Sequence, residues 1–405
     1  MHASPLLQEF NAGPASAIFL WVVIWAIIGG VVTPRVYRRK DLDASSATLY
    51  GAIAGAGTGP ILLAILWYKT PELTWQWIVP PTLLALATLY ASFAVYHPSN
   101  LCVTNGSYIV SQMSNGLLVG VLYGLIALGL TLIFSILGIV SFAHGQFYMI
   151  GGYVLFYSVD AALGLGLNPL VGLVITGLVT FFIGVIFERA LLRPMHEGKI
   201  ERPGEYAILL TFGLAFFLEY SVQATLGTNP RKTTAFFPLD TVNIGEAIAL
   251  PPTRVIGAII GLAVLGILFW YLNYTWSGRA LRAVSQDKQA ASIVGINPLN
   301  MNTLAFGLGA MLAGISGAAL VQVFTWAPNV GAVASARSFV VIVLGGMGSL
   351  IGAMVGGLII GVVEALGVGC FPDSSRSLAY QPVFGLTIFA IVLLLKPTGL
   401  FGRDL

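Results

Sequence analysis

The feature that most limits how this chain can fold is a recurring apolar run of membrane-crossing length. The hydrocarbon core of a bilayer takes about 20 residues of helix. Runs of that kind occupy 16–33, 48–67, 78–96, 112–130, 170–188, 206–227, 255–272, 302–324 and 379–396. In lipid the backbone must satisfy its own hydrogen bonds, so such runs fold as helices. Charge is correspondingly scarce: 9% of 405 residues, against about 25% in a soluble domain. That excludes a soluble enzyme, a disordered scaffold and a nucleic-acid binder, since neither a solvated surface nor phosphate neutralisation is within reach. The expected fold is all-α and polytopic, with about nine full spans plus two re-entrant or broken helical elements.

Those two elements are the apolar stretches 131–160 and 336–367, interrupted by Ser141-Phe-Ala-His-Gly145 and Gly345-Gly-Met-Gly-Ser349. Their reading depends on where the basic residues fall. Arg35, Arg38, Arg39 and Lys40; Arg189, Arg193, Lys199 and Arg202; Arg279, Arg282 and Lys288; and Lys396 and Arg403 alternate consistently between spans. Thirteen of the 19 basic residues thereby share one face, which the positive-inside rule makes cytoplasmic. Met1 is then external and the C-terminus cytoplasmic. On this scheme 112–130 runs outward, so 131–160 starts and ends outside. Thirty residues are too few for two spans, and a re-entrant hairpin is expected: Thr131–Val140 descending, Gln146–Val159 returning. Ser338–Leu344 and Leu350–Leu366 form the second. A tilted or kinked span is the alternative. One broken element in each half is the pattern of a transporter with internal repeats.

The polar loop 275–300 is the most informative. Ala280–Val294 has helical propensity, Gly295 suits a helix end, and Pro298 lies just beyond. A short amphipathic helix between two spans fits a groove on a cytoplasmic partner, or lies on the membrane surface. Elsewhere the signals are thinner. His144 is either a proton carrier or a structural hydrogen-bonding group, and Ser141 three residues before it is a weak hint of an intramembrane hydrolase with no GxSxG elbow to support it. Glu364, near the external end of its segment, either snorkels or lines a pathway. Glu188, beside Arg189 and Arg193, reads as an interfacial charge cluster. No GxxxxGK[ST] and no metal-ligand spacing occurs, so the chain itself is expected to bind no nucleotide and no metal.

Several ordered motifs together carry a resemblance. Gln289-Ala-Ala-x-x-x-Gly295 is similar to the EAAxxxG coupling loop of ABC-importer permeases, with Gln for the usual Glu. Gly278-Arg-Ala-Leu-Arg-Ala…Gly295-Ile-Asn, Tyr123-Gly-Leu-Ile-Ala-Leu-Gly-Leu-Thr131, Ser141–Gly145 with Met149–Tyr153, Val343–Ala353, Glu364-Ala-Leu and Lys396–Gly402 resemble the LivH-like branch of the branched-chain amino acid permease family. Ser141 departs from that pattern, which has Asn. The resemblance covers about 112–403. It implies two parts: residues 1–110 as an N-terminal extension with three spans, and 111–405 as an ABC-importer permease domain.

The same resemblance implies a multi-pass protein of the bacterial plasma (inner) membrane, with catalysis elsewhere. Its partners would be a second, homologous permease in a heterodimer, two cytoplasmic ATPase subunits that use the ATP, and a periplasmic or extracellular substrate-binding protein. The solute would be a branched-chain or other hydrophobic amino acid; urea or short amides are the alternative. Asp287, Gln289, Ala290, Ala291 and Gly295 would couple to the ATPase, with Ser141, His144 and Glu364 as candidates for the translocation path. A reading of a different class, an autonomous secondary transporter or channel, accounts for broken helices but not for an EAA-like loop.

Overall fold

The computed structural model describes Trp25, His97, Asn100 and residues 101–402 apart from 234, 235, 238, 239, 245–247, 374 and 397. The expected spans 16–33, 48–67 and 78–96, and the basic group Arg35–Lys40, lie outside the described residues. The chain divides into two units, residues 1–104 with 394–397 and residues 105–393 with 398–405. The second unit is a helical bundle.

The longest element of the bundle is α1, Gly106–Leu137, capped at its start by the Asn105 side chain and ended by Gly138 in the left-handed region (φ +74°). After a non-helical run, α2 covers His144–Val159. Next come α3, Pro169–Phe187, and, beyond a π-turn and a short α-turn reaching His196, α4, Pro203–Leu226. A two-stranded hairpin, β1 (Val242–Ile244) and β2 (Ile248–Leu250), precedes α5, Pro252–Tyr274. Then come two short helices, α6 (Trp276–Gln286) and α7 (Lys288–Ile293), and α8, Pro298–Leu320. The C-terminal part is α9 (Val330–Gly345), α10 (Leu350–Cys370) and α11 (Gln381–Leu395). Proline in the first turn of α3, α4, α5 and α8 starts each of them where its missing N–H costs no hydrogen bond.

Among the described residues six helices are long and apolar enough to cross a membrane: α1, α3 with its extension to His196, α4, α5, α8 and α10. They are not the six expected from this part of the sequence. The run 379–396 yields only a short apolar helix, whereas Leu350–Cys370, assigned to a re-entrant element, is a full-length one.

Glycine contacts hold α1 at the centre. A Cβ on Gly357 would overlap the Gly124 nitrogen, and one on Gly361 the Gly116 carbonyl oxygen, so α1 and α10 pack antiparallel, backbone on backbone. α8 meets the other side of α1 in the same way, Gly309 against Gly129, and the Ser316 hydroxyl donates to the Leu122 carbonyl at 2.8 Å. Lipid gives helices no hydrophobic reason to associate, so close glycine contact supplies the van der Waals attraction instead.

These contacts also fix the direction of α1. Its start lies at the β-hairpin, where the Ser111 hydroxyl donates to the Ala249 carbonyl (3.3 Å). Its end lies at the 188–202 and 275–297 loops, where His196 Nε2 and Lys288 Nζ donate to the Leu137 carbonyl, each at 3.4 Å. If those basic loops are cytoplasmic, α1 runs inward, the reverse of the direction that made 131–160 re-entrant. Thr131–Leu137 accordingly complete α1 instead of dipping back, and the break falls at 138–143. The alternation that counted Arg35–Lys40 with the other basic groups loses its support at α1.

The second break has its turn where expected. Residues 346–349 form a tight turn between α9 and α10, with Gly346 and Gly348 at positive φ (+103° and +86°). The non-helical approach lies earlier, at 321–329. Both breaks are real; the first begins earlier than expected, and the second keeps its turn but leads into a full-length α10.

Candidate translocation site and coupling loop

The broken elements meet. α2 begins inside the bundle, because the ring of His144 lies against Gly129, about two turns before the end of α1. His144 Nε2–H donates to the Ile126 carbonyl at 2.8 Å, and Nδ1 has no hydrogen-bond partner among the described residues. The start of α9 lies alongside: the Ser335 hydroxyl accepts from the Gly145 N–H (2.9 Å) and donates to the Phe142 carbonyl (3.0 Å). A Cβ on Gly331 would strike Gln146 Oε1, whose Nε2 in turn donates to Glu219 of α4 (3.2 Å). The chain leading into α9 is pinned by Trp326, which donates to the Met149 carbonyl (2.9 Å) and packs on the Tyr148 ring. Ser141 is fully buried and its hydroxyl has no partner among the described residues. Ser141 and His144 thus sit together in the junction of two half-helices, enclosed by protein.

Glu364 lies apart from them, near the hairpin end. Its carboxylate accepts from Arg337 Nε (3.0 Å), the Tyr123 hydroxyl (3.2 Å) and Gln381 Nε2 (2.7 Å), and the Arg337 guanidinium covers the Tyr123 ring at 4.5 Å. It does not snorkel: the side chain is 4% exposed and ion-paired. Arg337 belongs to none of the basic groups that share a face in the sequence. Its partner is 27 residues away on another helix, a pairing without any sequence signal. Glu188 is likewise inside the bundle, fully buried and accepting from the Thr303 hydroxyl, where an interfacial charge cluster is expected from its neighbours in sequence.

Beside Glu364 a cavity of about 90 Å³ opens between α1, α5, α10 and the start of α11, with Gln112, Asn115, Tyr123, Arg254, Glu364 and Gln381 as its polar wall. Sequence reading singles out neither Asn115 nor Arg254 as a site residue. Among the described residues no three His, Cys, Asp or Glu side chains are grouped to hold a metal.

The 275–297 loop is two helices, not the single Ala280–Val294 helix expected. Asp287 breaks them: extended at φ −152°, its carboxylate caps α7 by accepting from the Gln289 and Ala290 N–H groups (2.8 and 3.0 Å). α6 buries Ala280, Leu281 and Val284 against the bundle. In α7 Ala291 is buried while Gln289 and Ala290 are exposed. Gly295 (φ +87°) closes α7: its N–H donates to the Ser292 carbonyl and that of Ile296 to the Ala291 carbonyl, which together form a Schellman motif. The tip just before it is apolar and bare, Ile293 being 85% and Val294 74% exposed. Burial holds the Lys288 ammonium, which reaches the end of α1, below the usual lysine range.

A helical bundle whose glycine-packed spans enclose two broken helices, with a capped loop projecting from one end, defines a multi-pass membrane protein of the permease kind. The sequence comparisons give the family. Residues 112–395 match the model described as branched-chain amino acid transport system, permease component. The chain belongs to that family. It is 34% identical over 307 residues to the high-affinity branched-chain amino acid transport system permease protein LivH of Salmonella typhimurium, covering 73% of this chain and 96% of that one. It is 33% identical over 306 residues to BraD of Pseudomonas aeruginosa, with the same coverage. The fructose import permease protein FrcC of Rhizobium meliloti is 26% identical over 235 residues, which cover 56% of this chain and 60% of that one. No solved structure matches.

Proposed function

We propose that this chain is the permease subunit of a binding-protein-dependent ABC importer for branched-chain or other hydrophobic amino acids. The observation that carries the reading is the α6–α7 loop. Asp287 and Gly295 cap both ends of α7 and hold Gln289, Ala290 and the bare Ile293–Val294 tip outward, while Lys288 ties the same helix to the end of α1. An ATPase groove that grips the tip moves α7, and α7 moves α1. α1 carries the Ile126 carbonyl that positions His144 and the Tyr123 hydroxyl that binds Glu364. ATP binding and hydrolysis belong to two cytoplasmic partner subunits, and a second permease and an external binding protein complete the assembly. The bundle then exchanges two states, each favoured by ligands at one face.

On this reading the basic loop end is cytoplasmic and the hairpin end external, and residues 1–110 are an N-terminal extension to the permease domain. The amino-acid class is supported by the printed names of the LivH and BraD relatives; FrcC marks how far solutes diverge at lower identity. The test is cross-linking: Ile293→Cys in the assembled transporter is expected to form a cross-link to the ATPase subunit that ATP binding strengthens or weakens. Labelling of that cysteine by water-soluble reagent at the same rate with and without the ATPase would refute the coupling role.

A further inference from the structure

The charges around the hairpin-end cavity do not balance. Glu364 is saturated by three donors and neutralised by Arg337. Arg254 lines the same cavity, with no ion pair and no side-chain hydrogen bond among the described residues. It occupies the first turn of α5, where the helix dipole already places positive charge; Pro251 and Pro252 carry no N–H and the Arg254 N–H donates to the Pro251 carbonyl, so an anion at this corner is met by the guanidinium. Asn115, on the wall of the same cavity, is 6% exposed. Its Nδ2 donates to the Ser111 carbonyl at 2.9 Å, which leaves Oδ1 buried without a donor among the described residues. An acceptor without a donor in that position calls for a missing partner. Val119, Phe324, Val368 and Leu378 supply apolar wall around the two.

We infer that this cavity is a solute subsite that takes the carboxylate of a small zwitterion on Arg254 and its ammonium group on Asn115 Oδ1. The inference deepens the permease reading and rests on it for the class of solute. A guanidinium matches a carboxylate with two parallel N–H donors, a geometry an amide or alcohol cannot satisfy. The one carboxylate of the wall is already ion-paired to Arg337 behind it, so the Arg254 guanidinium is left to favour a group that brings a negative charge. The Glu364 carboxylate, already fully bonded, holds Arg337 away from the solute so that Arg254 alone receives it.

The probe is radiolabelled L-leucine, bound at equilibrium to the assembled transporter in nanodiscs without the binding protein. Competitors are leucinamide, which lacks the carboxylate, and 4-methylpentanoate, which lacks the ammonium. Each competitor should be at least about ten-fold weaker than leucine, the scale of one charge-assisted hydrogen bond. Arg254→Gln should weaken leucine about ten-fold or more and erase its advantage over leucinamide, with Arg254→Lys intermediate. Asn115→Ala should erase the advantage over 4-methylpentanoate. Leucine bound as tightly by a monodisperse Arg254→Gln transporter, leucinamide competing as well as leucine in the wild type, or no saturable binding at all would each overturn the site. The two readings separate cleanly. Unchanged uptake KM in Arg254→Gln removes the site and leaves the permease, while carboxylate binding through Arg254 in a transporter that moves no amino acid does the reverse.

Discussion

Glu364 and Arg337 form a buried ion pair in a protein that faces lipid, and its energetics derive from desolvation. Removing one partner leaves an uncompensated charge inside the bundle, at a cost of about 3–5 kcal/mol, whereas an apolar pair of similar volume is often neutral. Arg337→Met is therefore expected to lower the thermal midpoint of the detergent-solubilised protein sharply, and Arg337→Met with Glu364→Met to recover most of the loss. A double variant no more stable than the single would show that the pair does not act as a unit. Gly295 poses a backbone constraint instead. Its φ of +87° disfavours any side chain, yet a Cβ there meets nothing within 4 Å. Gly295→Val should strain the end of α7 without disturbing the core, so that assembly persists while ATP hydrolysis no longer drives uptake. Normal coupled uptake would remove Gly295 from the coupling role. Asp287→Ala removes a cap worth typically ~1 kcal/mol, and faster amide exchange at Gln289 and Ala290 with unchanged exchange in α8 is its expected mark. At this scale the sequence is unevenly legible. Gly295 stands out because its cap is local, a few residues from what it bonds, whereas the Asp287 cap is hidden inside a run of helical propensity. Arg254 and the partner of Glu364 do not stand out, because only the packing of separate helices brings them to one place.

Among the elements, α1 does the most. Its 32 residues reach from the cavity wall at Asn115 to the coupling loop at Leu137, and glycine lets α8 and α10 approach it on two sides. A Cβ on Gly357 meets backbone, which cannot swing aside, so Gly357→Val should cost about 1–3 kcal/mol or more. Gly266 in α5 has open space around it, and Gly266→Ala should be neutral or stabilising by up to ~1 kcal/mol. Equal thermal shifts for the two would mean that the α1–α10 contact is not close-packed in solution. The existence of two breaks can be read from glycine and polar residues inside apolar runs. Their form cannot. It hangs on alternation of charge across residues 1–110, and one reversed helix inverts everything downstream. Apolar run length also misleads at the end of α1, where Thr131–Leu137 extend the helix because nothing before Gly138 stops it; α10 starts at Leu350 as expected, where the Ser349 side chain caps it.

For the whole molecule, the broken helices, the buried pair and the loop are parts of one arrangement. On the proposed function, the loop end receives movement, α1 carries it, and the junction of α2 with α9 and the cavity beyond are where it changes what a solute can reach. The most direct measurement is uptake of labelled leucine into proteoliposomes containing this chain, its partner permease, the ATPases and the binding protein. Uptake should require ATP and the binding protein together and should vanish when this chain is omitted. Uptake by this chain alone, driven by an ion gradient and indifferent to ATP, would contradict the account.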